Sequence, residues 1–158
     1  MPIQAFSVDI SEIRELGREF AESGNIIRNE VTTAMTASTK HVEKAAFDRV
    51  NHKTGNYGRS FRREVTASAN TIVGIVRNHA KSAKGFVYAA TLEWGRGPVV
   101  AINAKALRFV VNGVVIFRKR VGPAKAQHIL EFGARDAMPK VDGEFAKARD
   151  RIAARLMR

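Results

Sequence analysis

The spacing of apolar side chains changes once along the chain, and this change limits the folds that are possible. From Ile13 to Val50 they recur three or four residues apart, or at small multiples of that spacing, which is typical of one face of an α-helix. Residues 51–58 are turn formers, and short β-branched runs with a period of two come after them. The sequence therefore predicts a long helical arm that leads into a β-rich module.

The helical arm has a well-marked start and one weak point. Asp9 or Ser11 is suited to cap the helix. Carboxylates in the first turns oppose the positive end of the helix dipole: Glu12, Glu15, Glu19 and Glu22. Gly24 lowers helix propensity, so we predict a break or bend there. Residues 26–50 are rich in Ala and Thr, and these small side chains suit the close approach of a neighbouring helix, with the chain's own sheet or a second subunit as the packing partner.

Two hairpins are predicted in the β-rich module. The first joins Phe61–Ala67 to residues 71–78. The second joins Leu107–Val111 to residues 114–121 through Asn112 and Gly113, a pair that favours a type I′ turn. Phe109 and Phe117 occupy matching positions in this hairpin, which predicts that both pack in the core.

Helical signals also occur between the hairpins and at the C-terminal end. Residues 87–95 predict one or two helical turns that Gly95 ends. Apolar residues from Met138 onward have helical spacing, and Pro139 is expected at the start or at a kink. We predict a single α+β domain over residues 1–158, in which helices cover an antiparallel sheet made of the two hairpins. Its parts are a helical arm (9–50), a β-hairpin module (56–122) and a C-terminal helical segment (124–158).

The net charge of +12 is concentrated in the middle of the chain. Residues 65–130 contain one acid, Glu93, and ten basic residues: Arg77, Lys81, Lys84, Arg96, Lys105, Arg108, Arg118, Lys119, Arg120 and Lys125. Such a segment favours an acidic protein, an anionic surface or nucleic acid as partner. We identify Lys105, Arg108, Arg118, Lys119 and Arg120 as the candidate basic contact surface, with a solvated face as the alternative.

The sequence contains no pattern typical of an enzyme or of a cofactor site. There is no cysteine, which excludes disulfides and thiolate metal sites. The four histidines lack the spacing of a metal motif, and the glycine-rich turns lack the residues of a phosphate-binding loop. No segment is apolar enough to span a bilayer, and the N-terminus lacks the pattern of a signal peptide, so we expect synthesis in the cytoplasm. We predict no catalytic residue, no cofactor, no metal and no membrane contact.

Glu93 is the one residue that invites a catalytic interpretation. A lone carboxylate needs a second acid, a base or a metal for hydrolytic work, and the sequence supplies none beside it. We therefore interpret Glu93 as a structural ion pair or a helix-end cap. This interpretation of Glu93 argues against a nuclease whose activity depends on Glu93.

Three blocks of residues, in order, resemble the tail-completion or neck protein family of lambda-like long-tailed bacteriophages. The resemblance covers about residues 25–155. The first block is a Thr-Gly turn that leads into a strand, the second is Tyr-Ala followed by Glu-aromatic-Gly, and the third is the basic hairpin 105–119. The matching residues of the first two blocks are Thr54, Gly55, Arg59, Ser60, Tyr88, Glu93, Trp94 and Gly95. The chain departs from the family pattern at Arg96-Gly97-Pro98, at residues 128–130 and at residues 134–137.

The resemblance implies a structural virion protein that forms a ring, sixfold or twelvefold, at the head-tail junction or the upper end of the tail. Its expected partners are copies of itself and adjacent neck, portal-adaptor or tail-tube proteins, with possible contact to DNA in the channel. We expect helix 26–50 and strand edges to make the contacts between subunits. The alternative is a basic protein that binds nucleic acid without sequence preference.

Overall fold

A computed structural model describes residues 11–50, 55–68, 71–82, 85–111 and 113–157 of the chain. The helices are α1 (Ser11–Asp48), α2 (Asn56–Arg59), α3 (Ala89–Trp94) and α4 (Ile129–Leu156). The strands are β1 (Phe61–Ala67), β2 (Ile72–Asn78), β3 (Val99–Val100), β4 (Leu107–Val111), β5 (Val114–Arg118) and β6 (Arg120–Val121). The predicted α+β class is confirmed. Asp9, the turn residues 51–54 and Asn112 lie outside the described residues.

Helix α1 is uninterrupted from Ser11 to Asp48, so the predicted break near Gly24 is wrong. A single glycine costs a helix only about 1 kcal/mol relative to alanine, and the turns on both sides outweigh this cost. An added Cβ at Gly24 would meet no atom within 4 Å, so no packing contact requires a glycine there.

Small residues bring α1 and α4 into close contact. Ala34 and Ala46 of α1 and Ala137 and Ala148 of α4 are buried. Gly133 of α4 lies against the backbone of Ala46, and a Cβ on Gly133 would stand 2.6 Å from the Ala46 Cα. The small-residue face of residues 26–50 therefore meets a neighbouring helix, as its small side chains predict, and this helix belongs to the same chain.

Helix α4 begins at Ile129, ahead of Pro139, which lies inside the helix. Of the two places predicted for Pro139, the start of the helix or a kink, the start is therefore wrong. An internal proline costs a helix about 3 kcal/mol. The helix persists because it packs on α1 on both sides of the proline, through Gly133 and Ala137 before it and Ala148 after it.

The hairpin β1–β2 also packs on α1. Gly74 of β2 permits this approach, because a Cβ there would stand 2.6 Å from both the Met35 Sδ and the Thr39 Cγ2. The main hydrophobic core gathers at the C-terminal end of α1, where α2, β1, α3 and the start of α4 meet; its buried residues are Ala46, Val50, Tyr57, Phe61, Ala80, Ala89 and Ile129.

In the described residues the second hairpin does not pair with the first, and it is divided into two short ladders. In the described residues β1 pairs only with β2, β4 only with β5 and β3 only with β6. An isolated bridge between Arg96 and Ala124 precedes the β3–β6 ladder, and the β4–β5 ladder follows it. The described residues of 96–124 thus form one interrupted two-stranded ribbon, which we call the ribbon.

Candidate functional site

The residues of the first two family-like blocks meet at one buried junction. Glu93 of α3 has only 7% of its surface exposed, and its Oε1 accepts a 2.7 Å hydrogen bond from the Tyr57 hydroxyl. The same carboxylate accepts the backbone N–H of Leu130, at 3.0 Å to Oε1 and 3.2 Å to Oε2. Glu93 therefore caps the N-terminus of α4, where a negative charge is favoured by the helix dipole.

Of the two roles inferred for Glu93 from the sequence, an ion pair or a helix-end cap, the geometry corresponds to the cap. The cap acts on α4, the next long helix along the chain, and no ion pair to Glu93 occurs in the described part of the chain. Burial, followed by the hydrogen bond to Glu93, raises the pKa of Tyr57 above the ordinary tyrosine value. The proton of the Tyr57 hydroxyl is therefore held firmly in this bond.

The other residues of these blocks surround the junction. Gly55 precedes α2 with a φ of 67°, and the Ser60 hydroxyl donates to the Asn56 carbonyl at 2.7 Å. The Tyr88 hydroxyl accepts a 2.8 Å hydrogen bond from the Asn56 amide. Thr54 lies outside the described residues, and Arg59 donates to the Gly55 carbonyl from its backbone at 3.2 Å.

Gly95 and Trp94 mark the point where the chain leaves this junction. Gly95 ends α3 with a φ of 72°, as predicted, and an added Cβ would stand 2.7 Å from the Ala124 carbonyl oxygen. Only glycine fits this position, because backbone approaches it closely and its φ is positive. The Trp94 side chain is 73% exposed and lies edge-on to the His128 ring, 6.0 Å away.

The ribbon extends from this point and carries the candidate basic surface. Strands β4 and β5 pair with each other and have at most marginal contact with any other element. Seven basic residues and no acid lie in residues 94–130: Arg96, Lys105, Arg108, Arg118, Lys119, Arg120 and Lys125. The predicted set does not form one face. Arg108 stands opposite Phe117 and Arg118 opposite Leu107, and these two pairs lie on opposite faces of the ladder.

One face of the β4–β5 ladder is both apolar and exposed. It consists of Arg108, Val110, Val115 and Phe117, because directly opposed residues share a face and neighbours along a strand alternate. Val110 is 56% and Phe117 62% exposed. The prediction that Phe117 packs in the core is therefore wrong. Its register puts it opposite Arg108, on the other face from Phe109.

An apolar groove of about 720 Å³ lies between α1, β2, α3 and α4. Met35 and Val42 of α1, Val76 of β2, and Met138 and Phe145 of α4 line it, and Trp94 stands at its edge. The sequence analysis missed the groove, since four elements distant in the sequence enclose it. The apolar residues of the α4 stripe were visible in the sequence. That some of them line an open groove could be recognised only once the packing of the helices was known.

Comparisons of the chain with family models, with curated proteins and with solved structures found no match. The described residues contain no group of three or more His, Asp or Glu side chains arranged to hold a metal ion. No helix in the described residues is long and apolar enough to cross a bilayer. The surfaces with distinctive chemistry in the described residues are the ribbon and the groove.

Proposed function

We propose that this chain is a structural subunit of a ring, sixfold or twelvefold, in the neck or upper tail of a long-tailed bacteriophage. It would act there as a neck, tail-completion or tail-terminator protein that joins the capsid connector to the tail. Its partners would be copies of itself and adjacent neck, portal-adaptor or tail-tube proteins. The role is one of binding, and no residue is assigned to catalysis.

The observation that carries this proposal is the ribbon. A two-stranded hairpin on its own is marginally stable in water. Here β4 and β5 extend from the body with Val110, Val115 and Phe117 exposed on one face. Exposed apolar patches of this kind mark interaction sites. A subunit that gains its full stability in an assembly is expected to carry such a surface.

The buried junction supports the same proposal. Tyr57, which lies inside the first block without being one of its matching residues, contacts Glu93 of the second block through a hydrogen bond of 2.7 Å. The junction fixes the start of α4 and the base of the ribbon at Gly95. A rigid base is what a projecting contact arm requires if neighbouring subunits are to meet at a defined angle.

The basic residues indicate what lies next to the ring. Arg118, Lys119 and Arg120 are exposed at the end of β5 and the start of β6. We expect them to face an acidic adjoining ring or the DNA that passes through the channel. Charges at the rim of an interface chiefly set association rate and choice of partner.

Electron microscopy of phage particles made without this chain tests the proposal. We expect DNA-filled heads and separate tails when the gene is deleted, and whole particles when the wild-type gene is supplied. A variant with Arg118, Lys119 and Arg120 changed to alanine should restore fewer joined particles. A control that removes the same charge from exposed positions on the helices, Lys40, Arg135 and Lys140 changed to alanine, should restore them fully. Normal particles from the deletion strain would refute the proposal.

The second candidate function is binding of nucleic acid without sequence preference. The seven basic residues and absence of acids in residues 94–130 favour it. Duplex DNA binding that weakens steeply with salt, and loses about one unit of salt slope for each of Arg118, Lys119 and Arg120 removed, would support it. Binding of the purified chain that is equal for this triple variant and for the Lys40, Arg135 and Lys140 control would count against it.

A further inference from the structure

We propose that the apolar face of the β4–β5 ladder docks into the groove between α1, β2, α3 and α4 of a second copy of this chain. This inference rests on the proposed ring and names the contact that builds it. The two surfaces are present on the same chain, and in the described residues neither one fills the other.

The face that docks has a defined composition. Val110, Val115 and Phe117 form a contiguous apolar surface, because Val110 is paired with Val115 and Phe117 is the next residue of the same face along β5. Arg108 completes the face as the direct cross-strand partner of Phe117. The opposite face differs, since Leu107, Phe109 and Ile116 are half-buried.

The groove has the chemistry and size to receive this face. Its walls are mostly apolar, and about 720 Å³ is within the range of concave binding sites in proteins. Ser38 and Thr39 of α1 are small, and they lie along the groove together with the apolar Met35 and Val42. An aromatic side chain flanked by two valines fits an apolar concavity of this kind.

The charges around the groove complement those of the ribbon. Among the described residues, three charged ones line the groove: Arg77, Glu93 and Glu131. Arg77 is paired with Glu64, and Glu93 caps α4. The exposed Glu131 carboxylate, whose neighbour is the His128 ring, is therefore available to an incoming Arg108.

The same charges argue against other arrangements of two copies. Ribbon against ribbon would bring together two segments that each carry six basic residues and no acid, which is electrostatically unfavourable. Ribbon in groove uses two different surfaces, so a bound pair of copies still offers one free groove and one free ribbon. Such head-to-tail contacts repeat, and they close into a ring when the rotation between copies permits.

Cross-linking of cysteine variants tests the contact, because the chain has no cysteine of its own. Phe117→Cys places a thiol on the docking face and Met138→Cys places one in the groove; both wild-type side chains are exposed, so the fold should be retained. Val114→Cys is the matched control, since Val114 is as exposed as Phe117 but lies on the opposite face of the same ladder. The full-length variants are mixed in equal amounts and treated with a short bis-maleimide.

A covalent dimer is expected from the mixture of Phe117→Cys and Met138→Cys, and neither variant alone should give one. The double variant should give a ladder of bands that ends at the mass of the closed ring. The mixture of Val114→Cys with Met138→Cys should cross-link about ten-fold less.

Two results would overturn the inference while leaving the ring intact: an oligomer by sizing that lacks the Phe117–Met138 cross-link, or equal cross-linking of the Val114 control. A chain that remains monomeric, alone and mixed with its neck partners, would overturn the ring proposal and this contact together.

Discussion

The Tyr57 hydroxyl and the Glu93 carboxylate are joined by a 2.7 Å hydrogen bond across 36 residues of sequence. The same carboxylate receives the Leu130 N–H, so one buried group links α2, α3 and α4. A buried carboxylate with two donors and a helix N-terminus has its charge well compensated. The pair therefore stabilises the base from which the ribbon extends.

Removal of either partner should destabilise the fold by different amounts. Glu93→Ala leaves the Tyr57 hydroxyl and the Leu130 N–H without an acceptor, and we expect a loss of about 3 kcal/mol in the free energy of unfolding. Glu93→Gln keeps one acceptor oxygen, so we expect it to lower the free energy of unfolding by only about 1–2 kcal/mol. Urea unfolding of Tyr57→Phe, Glu93→Ala and the double variant gives the coupling energy, expected near 1 kcal/mol. Tyr88→Phe is the control, because its hydroxyl bonds the exposed Asn56, and a coupling near zero would refute the link.

Alkaline pH should weaken the fold through Tyr57. The raised pKa of Tyr57 in the folded chain means that the unfolded chain loses this proton first, near pH 10. The free energy of unfolding is therefore expected to fall as pH rises above about 10, because the unfolded state then binds fewer protons than the folded state. Tyr57→Phe should show a shallower fall than the wild type, and Tyr88→Phe should follow the wild type. Parallel curves for wild type and Tyr57→Phe would contradict this assignment.

Gly133→Ala should destabilise the chain, and Gly143→Ala should not. A methyl group at Gly133 meets the Ala46 Cα at 2.6 Å, so α1 and α4 must separate, at a cost of about 1–3 kcal/mol. A methyl group at Gly143 of the same helix meets nothing within 4 Å and should stabilise α4 by about 0.5–1 kcal/mol through helix propensity. Thermal unfolding of the two variants measures the difference, and equal melting temperatures would show that the helices tolerate the wider spacing.

Glu30 is expected to hold the C-terminal end of α4 on α1. It is buried, with Arg151 Nε at 2.6 Å and Arg155 Nη1 at 3.2 Å from its carboxylate oxygens. Glu30→Ala should lower the free energy of unfolding by about 2 kcal/mol, because two arginines lose a shared partner. Asp48→Ala removes the exposed pair with Lys44 and should cost under about 0.5 kcal/mol. A loss for Glu30→Ala as small as that for Asp48→Ala would contradict the buried ion-pair role.

Local signals in the sequence predicted the strands and the short helix well. The β-branched runs gave β1 as found, β2 to within one residue and β4 as found, and Gly95 ended α3 with the positive φ that favours glycine. The predicted strand 114–121 is divided into β5 and β6 at Lys119.

Features that depend on distant residues were not predicted. The cap that starts α4 comes from Glu93, 37 residues before Leu130, and so the helix begins ahead of the first residue of the apolar stripe. The matching positions of Phe109 and Phe117 did not reveal that the pairing register sets them on opposite faces. The groove depends on how four elements pack together, which neither periodicity nor composition specifies.

The mass of the native assembly of the full-length chain tests the central claim most directly. Native mass spectrometry over a range of concentrations, alone and with the adjacent neck proteins, should give a ring of six or twelve copies. Phe117→Asp should weaken the assembly about ten- to a hundred-fold, because a buried phenylalanine contributes about 1.5–3 kcal/mol, whereas Val114→Asp should leave it intact. A strict monomer under every one of these conditions would contradict the account.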